Sequence, residues 1–296
     1  MEINLTNKIY VVTGATSGIG LAVADALLSG GSAVIGVGRS PQRCRETEHN
    51  LQQKYPAAQV SYLVADLAEQ REVKHLAEQI RDLLSSRGTS TLNGLVNNAG
   101  TFTYWFTQTS DGIEMQWAVN HLAPFLLTHE LLPLLEQTPL SRVVTVSSGS
   151  HYGGRLNLED PQLRHHYSGL QGYNNTKLCN ILFTAELNRR LGEVSNLHAF
   201  AADPGLVKTD IGFKGTPLLA GWVWKLRRSG GTPPEVPARG IVYLLTEPSI
   251  QHSENVYWKD SRPKTPSPKA VIGLTASRLW SLSEKMCGLS EDEHHE

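Results

Sequence analysis

This chain of 296 residues has only three cysteines, Cys44, Cys179 and Cys287, an odd number and widely scattered. They cannot form a disulfide framework and fit no metal-ligand spacing, so no metal is expected. Cysteine this sparse suits a reducing compartment, and a cytoplasmic location is the expectation. Neither sign of charge is in excess: 27 Lys and Arg stand against 28 Asp and Glu, so no global field draws the chain to nucleic acid. No apolar run reaches the roughly 18 residues that cross a bilayer, and no leader pattern is evident ahead of the first apolar run. Internal repeats are lacking. Only 229–237 and 261–268 read as linkers, and neither divides the chain into two core-sized pieces. One domain spanning 1–296 is therefore expected, large enough to bury a substantial core.

What is present is alternation. Strands are expected over 9–13, 33–37, 60–64, 94–97, 142–147, 197–202 and 255–258, with helices notably over 17–29, 71–85, 112–135 and 172–191. That order argues an α/β fold, a parallel sheet of about seven strands with helices on both faces. Ligands of such sheets bind beyond the carboxyl ends of the strands. Thr13, Arg39, Asp66, Asn98, Ser148 and Pro204 all fall at or just after strand ends.

Two motifs carry chemistry. Tyr173 and Lys177 are four residues apart in a helical stretch, so they share a face and an ammonium lies beside a phenol. A fixed positive charge favours the phenolate and would pull the tyrosine below its ordinary value of about 10. Such a phenol exchanges a proton with an alcohol or carbonyl oxygen. Alone, the pair also describes a solvated helix face. The second motif is Thr13-Gly14-Ala15-Thr16-Ser17-Gly18-Ile19-Gly20, after the apolar run 9–12 and before a stripe of Ile19, Ala22, Val23, Ala26 and Leu27. A strand, a glycine turn and a helix start form an anion cradle for a pyrophosphate. The spacing is G-x-x-x-G-x-G, not the more familiar G-x-G-x-x-G.

With these motifs in place, nearly the whole chain resembles the short-chain dehydrogenase/reductase family. Gly14, Gly18, Ile19 and Gly20 resemble its cofactor turn, with Thr16 and Ser17 inside it. Asn97-Asn98-Ala99-Gly100 resembles its motif after the fourth strand. Asn120, Ser148, Tyr173 and Lys177 match its catalytic tetrad, and Pro204-Gly205, with Val207 and Thr209 beyond, its turn on the nicotinamide side. The stretches 119–122, 146–148, 182–187 and 279–283 are similar to the retinol dehydrogenase-like branch. The resemblance implies a single Rossmann-type doubly wound domain. It also implies that Tyr173 donates or accepts the proton, that Ser148 holds the substrate oxygen, that Lys177 also binds the nicotinamide ribose, and that Asn120 holds a water leading from Lys177 to solvent. Of the adjacent serines only one readily points into the site, and the family pattern selects Ser148 over Ser147. Asn97 reads as a structural amide, while Asn98-Ala99-Gly100 is expected along the cofactor.

An acidic residue at the end of the second strand would hold the ribose hydroxyl of NAD. Here the strand ends in Gly38-Arg39-Ser40, and Arg39 with Arg43 can meet a 2′-phosphate. NADP(H) is therefore expected over NAD(H), with Asp66 and Leu67 by the adenine as the family pattern implies. The segment 207–235 is expected to form a substrate lid. Its apolar residues Ile211, Phe213, Leu218, Leu219, Trp222, Val223, Trp224 and Leu226 suit a lipophilic alcohol or carbonyl compound, or packing on the domain or a partner subunit. Lys225, Arg227 and Arg228 offer a lesser alternative, contact with a membrane surface. His151, Tyr152, His165, His166 and Tyr167 are expected in an ordinary polar loop. Residues 259–296 form a C-terminal extension, ending in a solvated tail over 291–296. A homodimer or homotetramer through helices 112–135 and 172–191 is one expectation; cover of that face by 274–289, leaving a monomer, is the other. The function expected is alcohol–carbonyl interconversion. Its alternatives are a non-catalytic dinucleotide-binding sensor or scaffold and a C=C reductase.

Overall fold

The computed structural model describes residues 4–193, 195–207 and 231–289. The strands are β1 (Ile9–Thr13), β2 (Ala33–Gly38), β3 (Val60–Val64), β4 (Gly94–Asn97), β5 (Ser141–Val146), β6 (Leu197–Ala202), β7 (Tyr257–Lys259) and β8 (Arg262–Pro263). They form one sheet in the order β3-β2-β1-β4-β5-β6-β7-β8, parallel except for the antiparallel pair β7–β8. The order reverses between β1 and β4, the switch point where a crevice opens above the strand ends.

Between the strands lie α1 (Gly18–Ser29), α2 (Pro41–Lys54), α3 (Gln70–Ser86), α4 (Met115–Trp117), α5 (Ala123–Glu136), α6 (Gly169–Leu191) and α7 (Glu235–Thr246), and α8 (Gly273–Met286) follows β8. Strand residues alternate between two cores, as the pleat demands. Val11 and Ile35 face a core built with Leu76 and Ile80 of α3, Phe125 of α5 and Leu182 of α6. Tyr10, Val12 and Val34 face a second core with Val23 and Leu27 of α1 and Ile241 of α7. In α1 the buried set is Gly20, Val23, Ala24, Leu27 and Leu28. The expected stripe is therefore rotated by one position at its edge, and Ile19, Ala22 and Ala26 are half-buried against the same core.

The single helix expected over 112–135 is broken. Gly112 turns at φ 71°, and the Glu114 carboxylate accepts the Trp117 N–H at 2.7 Å, so helix begins only at Met115. Residues Ala118–Leu122 then form one π-turn before α5. Pro124 has no N–H to give the Asn120 carbonyl, so the regular ladder cannot run through Asn120, and wide turns of this kind are frequent at functional sites.

The C-terminal extension is more ordered than its Gly, Pro and Ser content suggests. The linker expected over 261–268 contains β8, whose Arg262 and Pro263 pair with Lys259 and Trp258. α8 lies across α5 and α6. Trp280 packs edge-on against Phe125 at 4.9 Å and stacks on Phe183 at 5.9 Å, with the Arg190 guanidinium 4.4 Å from its ring. Its indole N–H donates to Glu284 at 2.6 Å. Cys44, Cys179 and Cys287 are all buried and free.

Candidate active site

The glycine turn is shaped by exclusion. Gly14 sits at φ +66°, and a Cβ on Gly20 would collide with the Gly14 carbonyl and the Asn98 side-chain amide. Backbone and helix start approach each other as closely as two chains can, leaving the α1 N-terminus open to an anion. The Asn98 Nδ2 donates to Thr13 O at 2.8 Å, and the Thr13 hydroxyl accepts the N–H groups of Asn98 and Ala99, both at 3.0 Å. The Asn98 amide nitrogen is thus committed to the turn. Asn97 donates to Thr128 at 3.0 Å, tying β4 to α5.

Thr16 and Ile19 are half-buried around the turn, and Ser17 is exposed as the residue before α1. Arg43 donates to Thr16 O at 3.1 Å, so its cation lies over the turn. Arg39 is well exposed and 4.0 Å from Asp66, which also accepts the Ala68 N–H. Leu67 and Gly100 are half-buried beside these strand ends, as are Pro204, Gly205 and Val207 after β6. Val207 bridges to Thr232. Thr209, the expected apolar lid side chains and the expected basic residues beside Trp222 and Trp224 lie outside the described residues, as does the 291–296 tail. Residue 235, the expected end of the lid, opens α7.

Hydrogen bonds tie Asn120 to the Tyr173–Lys177 stretch of α6, and Lys177 to the end of β5. Asn120 is fully buried; its amide brackets Thr101 by accepting its N–H at 2.7 Å and donating to its carbonyl at 2.9 Å, and also donates to Thr176 at 3.2 Å. Thr176 stands one residue from Lys177 and donates to the Tyr173 carbonyl at 2.9 Å. Lys177 Nζ donates to Val146 O, at the end of β5, at 3.0 Å. The buried Ser147 hydroxyl donates to the Lys177 carbonyl at 2.7 Å, which commits it to the scaffold. Ser148 is half-buried, and its Oγ accepts the Ser150 N–H at 3.1 Å. One lone pair is occupied, and the hydroxyl proton remains available for an oxygen in the crevice.

Tyr173 and Lys177 sit side by side on α6, with Nζ 5.5 Å from the ring centroid. The tyrosine does not become acidic here. Burial, with a smaller effect of the Asp203 carboxylate, pushes its phenol up to about 12. Burial also lowers the Lys177 amine to about 8. The expectation of a lowered phenol is corrected by desolvation, which disfavours both charged forms. The phenol stays protonated at neutral pH, the state a proton donor needs.

The insert between Ser148 and Tyr173 is not an ordinary polar loop throughout. His151 is fully buried. Its Nε2 accepts the Ser267 N–H at 2.9 Å, so Nδ1 carries the proton and donates to Ser148 O at 2.8 Å. Tyr167 donates to the buried Glu114 at 2.8 Å and accepts from Gln116 at 2.9 Å. His165 and His166 are exposed. Among the described residues no group of three His, Cys, Asp or Glu could hold a metal, and no helix is long and apolar enough to cross a membrane.

A glycine cradle at the sheet's switch point, and a tyrosine and lysine on one helix face, are the elements of a candidate dinucleotide site with acid–base groups. The chain belongs to the short chain dehydrogenase family, whose model matches residues 8–215. It is similar to Retinol dehydrogenase 14 of Mus musculus, 36% identical over 295 residues that cover 95% of this chain and 86% of that protein. It is also similar to Retinol dehydrogenase 11 of Mus musculus, 31% identical, covering 98% and 90%. The solved structure of an uncharacterized protein from Mycobacterium paratuberculosis aligns with a TM-score of 0.70 at 30% identity, covering 96% of this chain and 95% of that one. A short chain dehydrogenase from Shigella flexneri complexed with NADP shares the fold, with a TM-score of 0.68 at 19% identity over 88% of this chain and 100% of that one. Membership makes this protein an oxidoreductase of alcohol and carbonyl groups that uses NAD(P)(H).

Proposed function

We propose that the protein interconverts a lipophilic alcohol and its aldehyde or ketone with NADP(H). The observation that carries this reading is the bonded path joining Asn120 to Thr176, Lys177 to the end of β5, and Ser147 to Lys177. Among the described residues it leaves the Ser148 hydroxyl proton and the Tyr173 phenol to meet a substrate oxygen. Bound nicotinamide dinucleotide supplies the hydride in reduction and takes it in oxidation. Gly14, Thr16, Ser17, Gly18, Ile19 and Gly20 hold the pyrophosphate, with Ala99 and Gly100 alongside. Lys177 and the turn Pro204, Gly205, Val207 and Thr209 hold the nicotinamide side, and Asp66 with Leu67 the adenine. Ser148 donates to the substrate oxygen and fixes it where charge develops. Tyr173 gives that oxygen its proton in reduction and accepts it back in oxidation.

Arg39 and Arg43 support the preference for NADP(H), because both cations stand at the β2 end of the glycine turn, where the strand itself carries no carboxylate. A charge-assisted contact of this kind is worth about 1.5–3 kcal/mol. Arg39→Ala is therefore expected to raise KM for NADPH by roughly 10- to 100-fold and to leave KM for NADH nearly unchanged. Equal losses for both nucleotides would remove the argument.

The lipophilic substrate is supported by the similarity to retinol dehydrogenases and by exposed Trp105, Phe106 and Leu206 on loops at the strand ends. Nucleotide oxidation measured against retinal, alkyl aldehydes, ketones and enones separates the alternatives. Activity confined to enones, or with none of these compounds, sinks the proposal.

A monomer is the reading supported by α8, which packs along α6 and places Trp280 against Phe125 and Phe183. Light scattering behind a sizing column is expected to give the 32.5 kDa chain mass; twice that mass contradicts the reading. Trp280→Ala removes the side chain that joins those helices and is expected to cost about 3–5 kcal/mol in urea unfolding.

A further inference from the structure

Asp203 is a carboxylate in a place that calls for an explanation. It follows β6, precedes the Pro204-Gly205 turn, and is 5% exposed. Its Oδ1 accepts two backbone N–H groups, from Gly149 at 3.2 Å and from Gly205 at 3.0 Å. One belongs to the turn that carries Ser148, the other to the turn on the nicotinamide side. Its Oδ2 accepts from Lys264 Nζ at 2.7 Å. Burial alone would raise this carboxyl, but Lys264 and the Gly205 N–H hold it below the usual carboxylate range. It therefore remains an anion, and its charge acts on Tyr173.

Lys264 belongs to a segment that reaches back to the Ser148 turn at several points. Besides Lys264, the Tyr152 hydroxyl donates to Thr265 O at 2.5 Å, the Ser267 N–H donates to His151 at 2.9 Å, and Lys269 donates to Gly154 O at 2.9 Å. The Lys264 ammonium also stands 5.5 Å from the Tyr152 ring centroid and 5.6 Å from that of the buried Tyr257.

We propose that Asp203 and Lys264 are positioning residues for the reaction: Asp203 fixes the Ser148 turn against the Pro204-Gly205 turn, and Lys264 neutralises that carboxylate so that its charge does not weigh on Tyr173. This inference rests on the oxidoreductase reading above. Among the described residues the charged and titratable groups around the pair are few. Lys177 stands 5.5 Å from the Tyr173 ring centroid on the same helix, and the Asp203 charge acts on Tyr173 from the β6 end of the chain. His151, Tyr152, Tyr257 and Lys264 surround Asp203, and the Lys259 side chain approaches Gly205. Lys177, His151 and Lys259 are common to every variant below, so differences between variants isolate the Asp203–Lys264 pair.

The test is the pH profile of alcohol oxidation, in which Tyr173 must accept a proton and the rate climbs with pH. Asp203→Asn keeps an acceptor for both N–H groups but removes the negative charge, so the midpoint is expected to fall by about one pH unit. Lys264→Met leaves the carboxylate unbalanced, so the midpoint is expected to rise by a similar amount and kcat to drop. Lys264→Arg is expected to restore both. Residues that only support the fold would lower the rate at all pH values without moving the midpoint, and that result overturns the proposal, as do shifts of the same sign. Lys264 is partly exposed, so Lys264→Met and Lys264→Arg carry the test even where an Asp203 variant fails to fold. A second readout needs no turnover: amide exchange at Gly149 and Gly205 is expected to accelerate at least about tenfold in Asp203→Ala, a loss of roughly 1.4 kcal/mol of protection. Unchanged exchange also overturns the brace. An inactive wild type, or a Tyr173→Phe variant that still turns over, instead defeats the oxidoreductase reading and leaves the exchange result to judge the brace alone.

Discussion

Tyr173→Phe is expected to reduce carbonyl turnover by about 10²–10⁴-fold, the usual contribution of a positioned general acid, with nucleotide affinity and thermal midpoint unchanged. The ring is held from outside the chemistry. It packs edge-on against Phe102 at 5.8 Å and lies 5.5 Å from the Lys177 ammonium, and phenylalanine keeps both contacts. The hydroxyl is what the variant removes, and among the described residues no hydrogen bond depends on it. Initial rates with NADPH and calorimetric titration of the nucleotide separate the two quantities. Turnover retained within tenfold would mean that the proton comes from elsewhere.

Lys177→Met is expected to stabilise the fold at pH 7 while abolishing turnover. The amine is 3% exposed, and its described hydrogen bond is to one carbonyl, Val146 O. No carboxylate pairs with it among the described residues. Burial lowers it from 10.5 to about 8. The sign follows from linkage: the unfolded chain binds the proton more tightly than the folded one, so the wild type is penalised below pH 8 and recovers stability as pH rises from about 8 to 10.5. At roughly 1.4 kcal/mol per pH unit that penalty is of order 3 kcal/mol. Met fills similar volume without charge, and Val146 O keeps the Asn180 amide at 3.2 Å. Urea midpoints across pH 6–10 are the measurement: the variant should lead at pH 7 and lose its advantage towards pH 10. A lower midpoint at pH 7 would show that the ammonium is better solvated than its surroundings imply. The residue proposed to serve catalysis is thus one the fold would be more stable without.

Much of the frame was legible because it rests on local patterns. Apolar runs of strand length marked β1 to β7 within a few residues, and glycine spacing marked the cradle. Longer-range effects were hidden. The break at Asn120 depends on Pro124 four residues later and on a Thr101 loop that only the fold brings near. The acidity of Tyr173 was misjudged because spacing reveals the neighbouring charge but not the desolvation that raises the phenol. Asp203 stood in plain view before Pro204-Gly205, yet its partners Gly149 and Lys264 lie 54 and 61 residues away. Lys264 sat in a stretch whose Pro and Ser content resembled a linker, and two-residue β8 is too short for periodicity to register.

The placement of α8 has a consequence for biosynthesis. Phe125 and Phe183 belong to helices that are translated well before Gly273, but the ring that shields them, Trp280, leaves the ribosome later. A nascent chain stalled ahead of Gly273 exposes an oily seam that the finished protein hides. Such intermediates are sticky, so premature stop codons in this region should yield insoluble product even though every residue of the candidate catalytic tetrad has already been made.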